Sequence, residues 1–526
     1  MRQSAWLAAA IGLVGWSHAA HAQLPALGVP RGMIRLEVGG GIGAAGDRYR
    51  DGTREDLLAD FASEALGSDV FPELAESEDR FAALLGAPYR FNLGALRANG
   101  YAEAGSIRVG VSVGLTPRVT LFANMPFTHT RVRLKGPLDP AGASAGVNPA
   151  HPLHGTAAGQ QQTAVFLADF TTALGTLDAR LQAGDYDGDP ALRALAEQSL
   201  AEGTALRDGL AGVLADPATA SPFAPLDASA EGAALTGSIT GLQAILSTDL
   251  GIAGFSSLPA LPTTGATFDD VDAYVSHPAG PIAAAPLGAT STVFLQGDAE
   301  VGAVLTLLDR WDPAERRGGM RLAARGTVRL PTAGSPAEND LLALPPGDGQ
   351  TDLEVDAALD YGRGAFGARA TGRWTVQLAG TQEMRVAPPS VPMPTADRLA
   401  SVRVDPGDEL ALGVRPFLRL APGFALTGRV EYVRRGEDTA EYDGAPLPGV
   451  EAGVVTEGSA RNLLLLGGGV TFAAPLAEAR RMGTPADAFV EVVKVTRSSE
   501  GRVDAWLSVN GGVRIRFRAW GAPATP

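Results

Sequence analysis

The sequence contains no cysteine. That excludes a disulfide framework, a thiolate metal site and the acylated cysteine of a lipid-anchored exported protein. Positive charge is in deficit, with a formal net charge of −15, so no nucleic-acid partner is expected. Past the N-terminal stretch no segment offers the ~20 consecutive apolar residues of a membrane helix. Histidine is scarce there too, at His129, His151, His154 and His277. No Gly-x-Ser-x-Gly elbow occurs, and His129 has no serine partner that would build a hydrolase site. "HPLH" (His151–His154) sits in a Pro/Gly loop with no nearby carboxylate. "DYDGDP" (Asp185–Pro190) departs from the calcium-loop pattern, which wants Gly and Glu where Pro190 and Ala196 stand. No enzymatic activity, cofactor or metal is therefore expected.

What is present begins with Arg2 and the apolar run "AWLAAAIGLVGW", followed by Ala20-His21-Ala22. A basic start, a short apolar core and a small-x-small site read as a signal peptide over 1–22, cleaved after Ala22. Loss of Arg2 would take the net charge from −15 to −16. An exported chain without a spanning helix enters a membrane only as a closed barrel, because an open sheet leaves backbone groups unsatisfied in lipid.

Apolar residues alternate with polar or small ones over ten stretches. These are 34–38, 107–115, 119–127, 295–307, 320–330, 353–359, 366–378, 410–414, 424–432 and 505–517. Period two is the mark of a strand. Two further stretches are less regular. "NLLLLGGGVTF" (Asn462–Phe472) has too many leucines for simple alternation, and "DAFVEVVKVT" (Asp487–Thr496) changes apolar parity near Val492, as a bulge would make it do. The total of about twelve is even and suits an all-β, closed antiparallel transmembrane barrel.

Connection lengths agree. Short ones at Thr116, Asp309, Asp360, Leu420 and around Pro475 alternate with long ones at 43–105, 132–292, 332–350, 379–407 and 435–460. The last, near Ser498, is short. Outer-membrane barrels sort their loops in this way, with short periplasmic turns and long external loops. The expected organisation is 1–22 signal peptide, 23–131 first strands with external loop 43–105, 132–292 an inserted helical subdomain, and 293–526 the remaining strands. Within the insertion, Phe166, Phe170, Leu174, Leu177 and Leu181 have helical spacing, Asp189-Pro190 reads as an N-cap with a first-turn proline, and Leu235, Ile239, Leu242 and Leu246 form a third helical set. Such a subdomain either caps the barrel mouth or folds into the lumen. Pro126, awkward inside a strand, is expected where the third strand leaves the membrane. Trp374, Tyr432, Phe424, Phe127 and Trp520 are candidates for interfacial girdles.

In a barrel the apolar face meets lipid and the polar face lines the lumen. The polar face here carries Arg108, Asp298, Glu300, Arg321, Arg325, Arg329, Asp352, Glu354, Asp356, Arg369, Arg373, Arg415, Arg429, Glu431, Arg514 and Arg516. If sequence neighbours pair, strands 4 to 7 alternate acidic, basic, acidic, basic. Opposite charges across a strand pair attract, whereas Arg at the lipid midplane would cost about 2–4 kcal/mol. These residues are expected to line the lumen, either bracing it or forming a polar conduit for a solute.

The stretches "VGVSVGLTPRVTLFANMPF", "GGMRLAARGTVRLPTAGSP" and "GDGQTDLEVDAALDYGRGAFGARATGRW" resemble a family of Gram-negative outer-membrane barrel transporters. That family is associated with aromatic (phenol-type) degradation and is loosely FadL-like. The first stretch resembles its hairpin closing in aromatic-proline-aromatic, the second its strand ending in Leu-Pro-Thr-Gly. The resemblance covers the barrel segments, about half the chain, and implies a channel for small solutes, hydrophobic or aromatic ones included. The expected partners are outer-membrane lipid, the barrel-assembly machinery and the solute, and the expected location is the cell outer membrane. The competing expectation is a non-transporting surface barrel that displays its helical loop for adhesion or partner binding.

Overall fold

A computed structural model describes residues 28–97, 99–287, 291–312, 318–333, 340–342, 347, 349–473 and 486–520. The signal peptide with its cleavage after Ala22, the tip of the turn after Asp309 and the turn around Pro475 lie outside them. The period-two stretches form twelve strands: β1 (Met33–Ala45), β2 (Asn99–Gly114), β3 (Val119–Lys135), β4 (Ser291–Gln296 continuing as Ala299–Asp312), β5 (Gly318–Leu330), β6 (Asp352–Arg363), β7 (Phe366–Gln377), β8 (Glu409–Ala421), β9 (Phe424–Arg435), β10 (Arg461–Ala473), β11 (Ala486–Glu500) and β12 (Leu507–Arg518). Each pairs antiparallel with its sequence neighbour, and β12 returns to β1 with Met33 opposite Arg518 and Val38 opposite Val513. The sheet is a closed barrel of twelve strands without an open edge.

Alternation in β6 decides which face is which. Val355 is 60% exposed, while its neighbour Asp356 is 3% exposed. The same parity continues around the ring, so the apolar side chains point outward and the charges inward. Exposed Leu353 to exposed Tyr361 spans eight steps along β6. At ~3.3 Å per residue and a tilt of about 40° that is roughly 20 Å, close to the ~25 Å apolar band of outer-membrane barrels. Tyr361, Phe366, Phe424, Phe472, Phe517 and Trp520 are exposed at the short-turn rim, with Phe424 directly opposite Phe472. Trp374 and Tyr432 are exposed toward the long-loop end. Phe127 lies mid-strand and half buried.

Two local expectations are corrected. Pro126 does not end β3, which runs nine residues further to Lys135. The carbonyl of Pro126 accepts from Gly297 N at 2.8 Å, so its missing N–H points the same way, toward the Gly297–Asp298 interruption of β4. A proline is tolerated mid-strand where the facing ladder is already broken. In β11 the alternation holds through Val492: Val490, Val492 and Lys494 are exposed, Glu491, Val493 and Val495 buried. The bulged residues lie further along β11, at Thr496 and within Ser498–Ser499, opposite Asn462–Leu465 of β10.

The long loops build a cap on one end. Loop 46–98 carries helix α1 (Ala75–Leu85), and the insertion carries α2 (Ala157–Ala183), α3 (Pro190–Leu214), α4 (Ala230–Ala244) and α5 (Phe268–Ser276). Asp189 caps α3 by accepting from Ala191 and Leu192 N, with Pro190 in its first turn. Among the described residues no helix is long and apolar enough to cross a membrane. Loop 46–98 forms a middle layer. Leu58 lies against the backbone of Gly100 on the inner face of β2, and Tyr49 Oη donates to Thr496 O at 2.8 Å. On its other side Phe71 stacks edge-on against Tyr274 of α5, Phe91 meets Phe223, and Arg80 donates to Thr219 O. One apolar core runs from inward-facing Leu463, Leu465, Val493 and Val495 of the barrel through Leu57 and Phe61 to Phe166 and Phe170 of α2.

Candidate functional site: the barrel interior

The interior has two zones. Toward the long loops, the inner faces of β2, β3 and β9–β11 are small or apolar, with Ala102, Ala104, Val132, Val433, Leu463 and Val493 buried against the cap. Elsewhere the inner face is ionic, on β5, β6 and β8 as far as Arg329, Asp352 and Glu409 at their long-loop ends. At the short-turn end, Val29 enters the interior, its N–H donating to Thr120 Oγ1 at 2.7 Å.

The ionic zone follows from register. Glu300 stands opposite Arg329, Arg329 opposite Asp352, Arg325 opposite Asp356, and Asp356 opposite Arg373. Asn124 Nδ2 donates to Glu300 Oε2 at 3.1 Å, and Arg329 reaches Asp352 at 2.6 Å and Glu300 at 4.0 Å. Arg325 donates to Asp356 Oδ2 at 2.7 Å and to Glu354. Glu354 also faces Arg373 at 3.8 Å, which donates to Glu409 at 3.2 Å. Nearer the short turns, Arg321 meets Asp309 at 3.2 Å, and Arg369 donates to Asp360 at 2.6 and 3.2 Å. Arg429 bonds Glu431 at 2.9 Å and reaches Glu491 at 3.6 Å across β10. It can do so because the inner face of β10 at that height is Gly467 and Gly469. A Cβ on Gly469 would stand 2.2 Å from Val490 O, so no side chain fits there. Arg514 chelates Glu37 at 2.9 and 3.2 Å, and Arg516 bonds Asp487. Two guanidiniums also lie over rings, Arg325 over Phe122 at 5.6 Å and Arg514 over Phe489 at 5.4 Å.

Three residues of the expected set sit apart from this pattern. Asp298 is buried in the interruption of β4 and accepts from Ala333 N at 2.9 Å, so it belongs to the loop closure and not to the strand ladder. Arg108, opposite Gly39 and Pro126, makes no ion pair among the described residues. Arg415 stands directly opposite Arg369, and its one carboxylate contact among the described residues is Glu431 at 3.9 Å. Sequence reasoning missed the counter-ions Glu37, Asp360, Glu409, Asp487 and Glu491. All lie at inward parity on their strands, and that parity was the available clue.

The cap has its own electrostatics. Buried Arg48 bonds Glu55 at 2.6 Å and Asp60 at 2.7 Å, and Arg502 joins Asp60 at 3.3 Å. Burial raises the Asp60 carboxyl, but Arg48 and Arg50 carry it below its ordinary value. The His151 and His154 rings stack at 4.8 Å, and His277 and Tyr274 meet His154 at 5.2 and 5.6 Å. His151 Nδ1 accepts from Leu153 and His154 N. Among the described residues no group of three His, Asp or Glu side chains is placed to hold a metal ion.

No protein-family model matches the sequence, and no curated protein matches it significantly. Solved structures do resemble it. An outer membrane channel from Pseudomonas putida F1 aligns over 94% of this chain and 99% of its own, at 9% identity and a TM-score of 0.42. The transport unit of the autotransporter AIDA-I from Escherichia coli aligns over 96% of each chain, at 6% identity and a TM-score of 0.33. The Pseudomonas putida toluene transporter TodX aligns over 94% of this chain and 90% of its own, at 10% identity and a TM-score of 0.26.

Proposed function

We propose that this chain is an outer-membrane channel for small solutes, hydrophobic or aromatic ones among them. One observation carries the reading: the globular pattern is inverted. A closed barrel covers its outside with exposed Leu, Val and aromatic side chains and buries its arginines and carboxylates inside. An exposed apolar belt of that extent is a surface for lipid, and an ionic inner wall is how a barrel lines a polar path. The apolar inner wall toward the long loops offers a first contact for a hydrophobic solute. Partners on this reading are outer-membrane lipid, the barrel-assembly machinery and the solute.

The cavity bounded by Arg325, Arg373, Arg415 and Glu431 measures about 30 Å³, so an aromatic solute passing there requires those side chains to move. The test is reconstitution in liposomes with uptake of benzyl alcohol as a small aromatic probe, alongside single-channel recording. Uptake above protein-free vesicles and discrete conductance steps are expected. A folded, inserted barrel that stays solute-tight and electrically silent overturns the channel reading and leaves a surface-display barrel.

A further inference from the structure

We infer that the ionic zone of the interior contains a binding site for a small carboxylate anion, centred on Arg415. The inference rests on the channel reading for its purpose, but its binding test does not need transport.

The register of β7 and β8 sets Arg369 directly opposite Arg415, a like-charge pair that repels unless each guanidinium is answered. Arg369 is answered by Asp360 through two hydrogen bonds. Arg415 is not. Among the described residues its one ion contact is Nη2 to Glu431 Oε2 at 3.9 Å, beyond hydrogen-bond reach, and that same oxygen lies 2.9 Å from Arg429 Nη2. Arg415 Nε is buried without an acceptor, and the side chain is 14% exposed. A guanidinium carries five donors, and burying them unanswered is costly.

The space beside it fits what is missing. The ~30 Å³ cavity is lined by four guanidiniums, Arg325, Arg369, Arg373 and Arg415, against two carboxylates, Asp356 and Glu431, with the Thr371 hydroxyl between them. That volume is on the order of two waters, the footprint of two carboxylate oxygens. The planar fork of arginine matches a carboxylate in two parallel bonds, so a single carboxylate would answer Arg415, the one guanidinium of the four with no carboxylate within hydrogen-bond reach among the described residues.

The same arrangement recurs toward the long loops. Arg461 of β10 stands opposite Arg435 of β9. Arg435 is answered by Asp438 at 2.8 Å. Arg461 is 8% exposed, its Nε has no acceptor, and it forms no ion pair among the described residues. Six residues of β9 separate the two levels, roughly 20 Å at ~3.3 Å per residue. Two arginines left open on one wall, each beside an arginine that is answered, form two steps for an anion entering from the long-loop end.

The test is calorimetric titration of the detergent-solubilised full chain with benzoate, with benzyl alcohol as the uncharged isostere. Benzoate is expected to bind, and Arg415→Gln to weaken it by about tenfold or more, the scale of a lost charge-assisted pair. Benzyl alcohol is expected to bind at least as weakly as benzoate does to that variant. Unchanged benzoate affinity in Arg415→Gln, equal affinity for benzyl alcohol, or displacement of benzoate by equimolar chloride overturns the site. If Arg415→Gln does not reach the heat-modifiable folded form, Arg415→Lys replaces it. That variant keeps the charge and loses the fork, so reduced affinity supports the site and unchanged affinity overturns it. A barrel that passes benzyl alcohol but ignores benzoate defeats this inference alone, and one that binds benzoate but is solute-tight defeats the channel reading alone.

Discussion

Arginine supplies nearly every cation in this molecule. The lysines are Lys135 and Lys494, and Lys494 is exposed on the outer face of β11. The preference has a geometric cause. A barrel wall offers carboxylates at fixed cross-strand spacings, and a forked guanidinium can hold two of them where an ammonium is a single point. Arg325 holds Glu354 and Asp356, and Arg429 spans Glu431 and Glu491. Removing one such fork strands two buried charges. Arg325→Met is therefore expected to cost about 3 kcal/mol, the low end of the range for breaking a buried pair. The readout is the midpoint temperature of the heat-induced gel-mobility shift. A midpoint equal to the parent's would show that the pair is idle. The counter-ions went unread in the sequence because their partners lie on other strands: Glu409 and Glu491 gain meaning only when register brings Arg373 and Arg429 beside them.

At the scale of elements, the helical insertion titrates. His154, next to α2, is held down to about pKa 4, first by burial and then by the neighbouring His151 and His277 imidazoles. The folded cap thus takes up a proton less readily than the unfolded chain, whose histidine titrates near 6.5. Its contribution is complete above about pH 6.5 and is lost as pH falls from there toward 4. Glu73, which accepts from Tyr274 at 2.7 Å, is pushed up by burial and works in the opposite sense. Hydrogen exchange of α2 amides, corrected for intrinsic rate, is expected to quicken between those pH values. His154→Gln should remove most of that acceleration, and an identical profile in the variant contradicts the assignment.

The elements were legible where one face is apolar and the other polar. β5 to β7 show clean period two, and the α3 start at Asp189-Pro190 is visible from the cap chemistry alone. β10 and β11 were obscure for a physical reason. Their outer Leu464, Leu466, Val490 and Val492 point away from the interior, while their inner Leu463, Leu465, Val493 and Val495 face the apolar core of the cap. A strand buried on both sides in apolar surroundings has no alternation to read. Arg461 escaped notice for the same reason, since its inward parity is shared by leucines. The interruption of β4 at Gly297–Asp298 gave only Pro126, on another strand, as its trace.

For the molecule as a whole, the outer belt defines how it is solvated. Val355 lies mid-belt on β6, between exposed Leu353 and Leu359. Val355→Arg would place a charge against hydrocarbon at about 2–4 kcal/mol near the midplane. Folding titrations in phospholipid vesicles should show that loss, whereas Thr375→Arg on the inner face of β7 should show far less. Equal losses at both positions would contradict the lipid-facing assignment of the belt.

The core that joins cap to barrel also sets an order in time. Tyr49 reaches Thr496 across 447 residues of sequence, and residues 47–50 take Arg502–Asp504 as a third strand. Leu57, Leu58 and Phe61 share one core with Val493, Val503 and Trp506. Contacts so distant along the chain form slowly, since loop closure must be met before they repay it. While the first half of the chain waits for β11 and β12, Leu57, Leu58 and Phe61 lack part of the core they share. The last hairpin therefore does more than shut the ring: its arrival completes a floor for the cap that β2 and β3 only begin.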